Sequence, residues 1–305
     1  MMKKTNHLFW LAIPLTVSAL LTGCEQPGEA LTTRKQRENE AEILTYISQN
    51  NINATKTDQG VWFFRIKANP TGQTPLTGDE VRYHYVARRL DGVVVDSTNT
   101  LSDTPASVIL ASGNTTGITL GKYAAILQLK QGETGSVLVP ASLDGGRVGS
   151  LLLPQYSPVR YDVRIVSVRT EKQQIENYIR TNNLIVTTLT SDSIRVIKTL
   201  TQPTDSAAVA VGKTIKVNYT GYRLDGSIFD GTYAATSRDL QIGAQGVVLP
   251  GLENGLKTLR AGEKATIIFP SLLGYGNIGS RAQNGAIIIA PYSPIRYDVQ
   301  VFSVK

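Results

Sequence analysis

Cysteine and histidine are almost missing from this 305-residue chain: Cys24 is the single cysteine, and His7 and His84 are the two histidines. One cysteine excludes an internal disulfide, and the shortage of both residue types excludes the usual Cys/His zinc site, so no metal site is expected. A Ser-His-Asp or Cys-His nucleophile would have to use His84, which lies on a long strand pattern and is expected to be structural. Most hydrolase and metalloenzyme chemistries therefore fail on inventory. A long apolar run is also missing: the stretch from Leu8 to Leu21 is broken by Pro14 and falls short of the roughly 20 residues of a permanent membrane helix. Acidic residues are outnumbered 24 to 31, a formal charge of +7 that is modest for the length and implies no nucleic-acid partner.

What is present begins with an export signal. Lys3 and Lys4, the apolar run and the small residues before Cys24 follow the order of a secretory signal peptide, expected to cover residues 1–23. Leu21-Thr22-Gly23-Cys24 resembles a bacterial lipobox, which implies cleavage before Cys24 and acylation of its thiol. Several acyl chains hold a protein stably where one does not. The expected location is the cell envelope, lipid-anchored at Cys24 and facing the periplasm or the cell exterior. Residues 24–40 are polar, carry a basic cluster at Arg34, Lys35 and Arg37, and read as a tether.

The remainder repeats itself. Glu42-Ile43-Leu44-Thr45-Tyr46-Ile47 recurs as Gln174-Ile175-Glu176-Asn177-Tyr178-Ile179, and Leu90-Asp91-Gly92 as Leu224-Asp225-Gly226. Gly132-Glu133 recurs as Gly262-Glu263, and the eight residues from Tyr156 to Val163 as Tyr292 to Val299. The offset drifts only between 130 and 136, so the chain holds two domain-sized copies, placed at 41–169 and 170–305, rather than a solenoid. Each copy opens with an amphipathic helix. Ile215 to Tyr222 alternates as a strand and runs into Asp225-Gly226, a favoured hairpin turn, with Ser227 to Asp230 returning. Pro250 can open a helix of about ten residues whose Leu252, Leu256 and Leu259 share one face. With strands at Lys264–Phe269 and Ile295–Val304, the expected class is α+β: in each copy an antiparallel twisted sheet wrapped around a short helix.

At this point the second copy resembles the FKBP family of peptidyl-prolyl isomerases. The resemblance rests on Val217-Asn218-Tyr219-Thr220-Gly221, Leu224-Asp225-Gly226, Phe229-Asp230, Val248-Leu249-Pro250-Gly251-Leu252, Gly262-Glu263, Gly274-Tyr275-Gly276 and Tyr297-Asp298-Val299, in family order from Val211 to the C-terminus. It implies catalytic positions at Tyr219, Phe229, Asp230 and Tyr275. It implies a substrate pocket walled by Val248, Leu249, Ile289 and Tyr297 and floored by Leu252, with the Leu249 N–H holding a substrate carbonyl. No cofactor is implied. The implied partners are proline-containing unfolded or partly folded segments, and macrolide FKBP inhibitors as ligands. Two departures stand out: Leu252 replaces a frequent tryptophan, and Arg238 replaces a frequent aromatic wall residue, which bears on substrate preference.

The first copy is degraded where the resemblance matters. It keeps Tyr85 and Asp96, but Val95 matches Phe229, Lys122 matches the floor residue Leu252, and Gly145 stands where Tyr275 projects. A lysine in an apolar pocket must be paired or its desolvation costs several kcal/mol. This copy is expected to fold like the second without isomerising proline. The chemistry suits the inventory, because rotating an X–Pro bond breaks no covalent bond and its barrier of roughly 18–20 kcal/mol comes from amide resonance. The leading reading is an isomerase assisting the folding of exported proteins through its second domain. The alternative is a non-catalytic tandem module, anchored to the envelope, that grips proline segments.

Overall fold

The computed structural model describes residues 30–99, 101–112, 117–144, 149–232, 237–244, 246 and 248–305. The expected signal peptide, Cys24 and Gly145 lie outside the described residues. The first copy runs α1 (Leu31–Gln49), β1 (Thr55–Lys56), β2 (Trp62–Lys67), β3 (Glu80–Arg89), β4 (Val94–Ser97), β5 (Ala106–Ile109), α2 (Leu120–Leu127), β6 (Thr134–Val139) and β7 (Val159–Arg169). The second runs α3 (Glu171–Thr181), β8 (Thr188–Leu189), β9 (Arg195–Leu200), β10 (Thr214–Arg223), β11 (Ile228–Gly231), β12 (Arg238–Gln241), α4 (Pro250–Leu256), β13 (Lys264–Phe269), β14 (Ser280–Arg281), β15 (Ile287–Ile289) and β16 (Ile295–Val304).

Among the described residues each copy has one antiparallel seven-stranded sheet. The first has the order β1-β2-β6-β7-β3-β4 with β5 also on β3; the second is its repeat, β8-β9-β13-β16-β10-β11 with β12 also on β10. The fold class is α+β, as the sequence predicts.

Alternation along the strands explains why each sheet is covered on both faces. On β13, Ile267 and Phe269 enter the main core with Leu252, Leu256 and Leu259 of the α4 region, whereas Ile268 between them turns outward to Ile175 of α3. In the first copy Val137 and Val139 face α2 while Leu138 meets Ile43 of α1. Besides the short helix on the inner face, the expected opening helix of each copy seals the outer face with a small core of its own.

That opening helix corrects the expected tether. Residues 31–40 are helical, with Arg34 and Lys35 both paired to Glu38 one turn on. Asn39 is buried, its Nδ2 donating to the Tyr156 carbonyl and its Oδ1 accepting from the Ala141 N–H, so the helix is docked before the expected start of the domain. In the second copy Glu171 does the same work, accepting from the Ser271 N–H and hydroxyl.

Several repeated motifs turn out to serve the fold. Gly132 and Gly262 adopt φ of 80° and 85°, a region that favours glycine, and swing Glu133 and Glu263 inward to cap loop N–H groups. Arg296 and Asp298 pair at 2.6 Å, leaving Tyr297 between them to face the opposite side. His84 is buried on β3 and joins Thr98 Oγ1 at 3.0 Å to Asp103 Oδ1 at 2.9 Å, a structural tie.

Candidate functional site

The inner face of the second sheet brings together the side chains singled out above. Tyr219 on β10, Phe229 and Asp230 on β11 and Tyr297 on β16 are cross-strand neighbours, because β10 pairs with both β11 and β16. Ring centroids lie 5.8 Å apart for Tyr219–Tyr297, 5.6 Å for Phe229–Tyr297 and 5.9 Å for Phe229–Tyr275, all edge to face. Such pairs contribute about 0.5–1.5 kcal/mol each beyond area burial. Phe269, which the sequence reading missed, stacks on Tyr297 at 5.9 Å with nearly parallel planes. Its signal was the alternation of β13, which puts it on the Tyr297 face.

Two glycines create the room. A Cβ on Gly221 would come within 2.8 Å of the Tyr297 ring and 2.9 Å of the Phe229 ring. One on Gly251 would reach 2.2 Å from Phe269 Cδ2, so the start of α4 can approach the stacked rings only because residue 251 has no side chain.

Burial sorts the candidates into floor and rim. Leu252, Ile289 and Tyr297 are at most 2% exposed and Tyr219 is 8% exposed, whereas Phe229, Val248, Leu249 and Tyr275 are half-buried on the same cluster. The site thus opens on the side of Phe229, Tyr275 and the α4 start. A cleft of about 950 Å³ lies elsewhere, along the end of β7 and α3. Leu249 caps α4 with extended backbone, and its N–H finds no acceptor among the described residues. Asp230 accepts from the Tyr297 hydroxyl at 3.1 Å and from the Gly231 N–H at 2.8 Å. Arg238 Nη1 donates to the Tyr219 hydroxyl at 3.3 Å. Burial first, and then the Asp230 charge, push the hydroxyls of Tyr275 and Tyr297 above the ordinary tyrosine range, so both remain neutral donors well into alkaline solution.

The corresponding place in the first copy is filled by its own cation. Lys122 Nζ donates to the Tyr85 hydroxyl at 2.9 Å and to Asp96 Oδ2 at 3.0 Å, and sits 4.1 Å above the Tyr85 ring centroid. Burial alone would lower the Lys122 pKa, but the hydrogen bonds to Tyr85 and Asp96 outweigh it and raise it. Burial likewise opposes ionisation of Asp96, and the donors Tyr85 and Lys122 overcome it to hold the carboxyl below the usual range. With Asp96 taken, the Tyr161 hydroxyl turns instead to Asp144.

Fold and site together define a tandem α+β protein whose second copy carries an aromatic cleft with one carboxylate, and whose first copy closes that cleft with a lysine. A family model described as FKBP-type peptidyl-prolyl cis-trans isomerase matches residues 72–166 and 205–302. The chain belongs to that family. It is 29% identical over 210 residues to peptidyl-prolyl cis-trans isomerase FKBP9 of Rattus norvegicus, covering 68% of this chain and 32% of that one. It is 27% identical to FKBP10 of Mus musculus, covering 69% and 33%. The chain therefore spans about a third of the length of these relatives. Among solved structures, the three FKBP domains of wheat FKBP73 align over 81% of this chain and 96% of that chain at 21% identity, with a TM-score of 0.37.

Proposed function

We propose that the second copy catalyses cis-trans isomerisation of X–Pro bonds in exported proteins and that the first copy does not. The observation that carries this reading is the aromatic cluster over Leu252, half open at Phe229, Val248, Leu249 and Tyr275, beside a single engaged carboxylate. A pyrrolidine ring set against these rings has its amide in apolar surroundings, which disfavour the charge-separated resonance form that keeps the bond planar. The N–H of Leu249, which has no acceptor among the described residues, can hold the carbonyl while the bond turns, so the twisted amide is bound better than either planar isomer and the barrier falls. Nothing ionises, leaves or is transferred. Uncatalysed isomerisation takes tens to hundreds of seconds, slow enough to limit folding.

In the first copy the Lys122 ammonium occupies the floor and replaces apolar area with a paired charge, which supports its being a non-isomerising domain. The lipobox-like Leu21-Thr22-Gly23-Cys24 supports anchoring to a membrane of the cell envelope, with both copies facing the periplasm or exterior and proline-containing unfolded segments as clients. The same cleft would accept macrolide FKBP inhibitors.

The test is a protease-coupled assay of a proline peptide with the full chain and its Phe229→Ala and Asp230→Ala variants. A fall of about tenfold in kcat/KM, the loss of ~1.4 kcal/mol of twisted-amide binding, is expected. Unchanged rates would reject the assignment. A peptide that binds saturably yet turns at its uncatalysed rate would favour the gripping module instead.

A further inference from the structure

We propose that Arg238 makes the second-copy cleft select proline segments that carry an acidic residue beside the proline. The inference rests on the reading that this cleft binds proline segments.

The backbone aims Arg238 at the cleft. On β12 it lies directly opposite Val217 of β10, and residues directly opposite share a face of the sheet. Val217 is fully buried, Leu240 two residues beyond Arg238 is buried too, and Tyr219 follows Val217 on the same face of β10. Arg238 therefore projects on the side of the aromatic rings, while Asp239 between Arg238 and Leu240 faces away. The hydrogen bond from Nη1 to the Tyr219 hydroxyl places the guanidinium at the edge of the cluster, on a residue that is exposed overall.

Its charge is uncompensated. Arg195 pairs with Glu176, Arg223 with Asp225 and Arg296 with Asp298, whereas Arg238 has no carboxylate partner among the described residues. Asp230 does not supply one, being held by the Tyr297 hydroxyl and the Gly231 N–H. The first copy shows the opposite arrangement: Ala106 sits opposite Tyr83 where Arg238 sits opposite Val217, and the cation of that cleft, Lys122, is neutralised by Asp96. A guanidinium has five donors and one is used here, so a carboxylate arriving with the substrate finds a ready fork.

The experiment uses the full chain and three peptides with one Ala-Pro core and Glu, Ala or Lys at the flanking position, placed on either side in separate series. Both kcat/KM and the Kd of binding are read. At low ionic strength the Glu peptide should be favoured over the Lys peptide by about threefold, the scale of one exposed charge pair. The preference should shrink as salt rises from about 0.05 to about 0.5 M. Arg238→Gln, which keeps a donor for Tyr219, should erase it, and Arg238→Glu should reverse it. A Glu-to-Lys ratio that stays the same in both variants would overturn the proposal. Glu-selective binding without turnover would uphold Arg238 and reject catalysis; no binding of any peptide would reject both.

Discussion

Replacing Gly251 by alanine sets two physical effects of opposite sign against each other. In an exposed helix, glycine to alanine stabilises by up to about 1 kcal/mol through backbone entropy and propensity. At this position the added methyl would lie 2.2, 2.4 and 2.7 Å from three ring atoms of Phe269. The ring cannot retreat freely, because it is stacked on Tyr297 and is itself fully buried. Overpacking of this kind costs about 1–3 kcal/mol, so the clash outweighs or cancels the propensity gain, and the second copy should lose up to about 2 kcal/mol. The cost should come with a displaced α4 start and weaker peptide binding, since Val248 and Leu249 lead into that helix. Urea denaturation of the full chain can read this with an internal control: Trp10 and Trp62 are the only tryptophans and Trp62 lies in the first copy's core, so its fluorescence midpoint should not move while the circular-dichroism signal of the second copy does. Adding Phe269→Leu to Gly251→Ala should recover part of the loss, a non-additivity expected of touching residues. A Gly251→Ala protein more stable than wild type would refute the packing argument.

Asn39→Ala should cost the first copy about 1–3 kcal/mol, because it leaves the Ala141 N–H and Tyr156 carbonyl without their side-chain partner; the Trp62 midpoint measures it. For the Asp96–Lys122 pair the sign follows from the direction of each shift. Asp96 is held below its unfolded value, so its contribution is complete above about pH 4 and is lost as pH falls through the lower folded value; Lys122 is raised, so its part is lost only as pH climbs above about 10.4. Asp96 is half exposed, so Asp96→Asn should lower stability by under about 1 kcal/mol at neutral pH and by progressively less as pH falls below about 4, as urea midpoints along that pH series will show. Isomerisation should be independent of pH from about 6 to about 10, because residues 170–305 contain no histidine and Tyr275 and Tyr297 ionise above their ordinary range; a bell-shaped profile would contradict this.

Much of the inner face was legible in the sequence. Alternation and the Asp-Gly turn placed β10, β11, β13 and β16, and Pro250 opens α4, because these patterns report burial on a single large core. The outer face was less visible, since it depends on one residue per strand: Leu138, Ile197 and Ile268 read as ordinary strand residues until α1 and α3 cover them. The start of α1 was hidden for a related reason: its first ten residues bury only Asn39, a polar side chain whose worth lies in two distant hydrogen bonds. The alternation of β13 puts Phe269 on the inner face but marks it only as core, because its stacking on Tyr297 joins two strands. The need to pair Lys122 was readable from desolvation, but its partners became identifiable only once β3 and β4 were set side by side over α2.

The most direct measurement transplants the first copy's floor into the second. In Leu252→Lys the new ammonium has Tyr219 and Asp230 where Lys122 has Tyr85 and Asp96, so the variant should keep its fold, checked by circular dichroism. Exchange between cis and trans resonances of a proline peptide, followed by NMR with substoichiometric full chain, should be fast with wild type and return to the uncatalysed rate with Leu252→Lys. Catalysed exchange that persists in a folded Leu252→Lys protein would contradict the account.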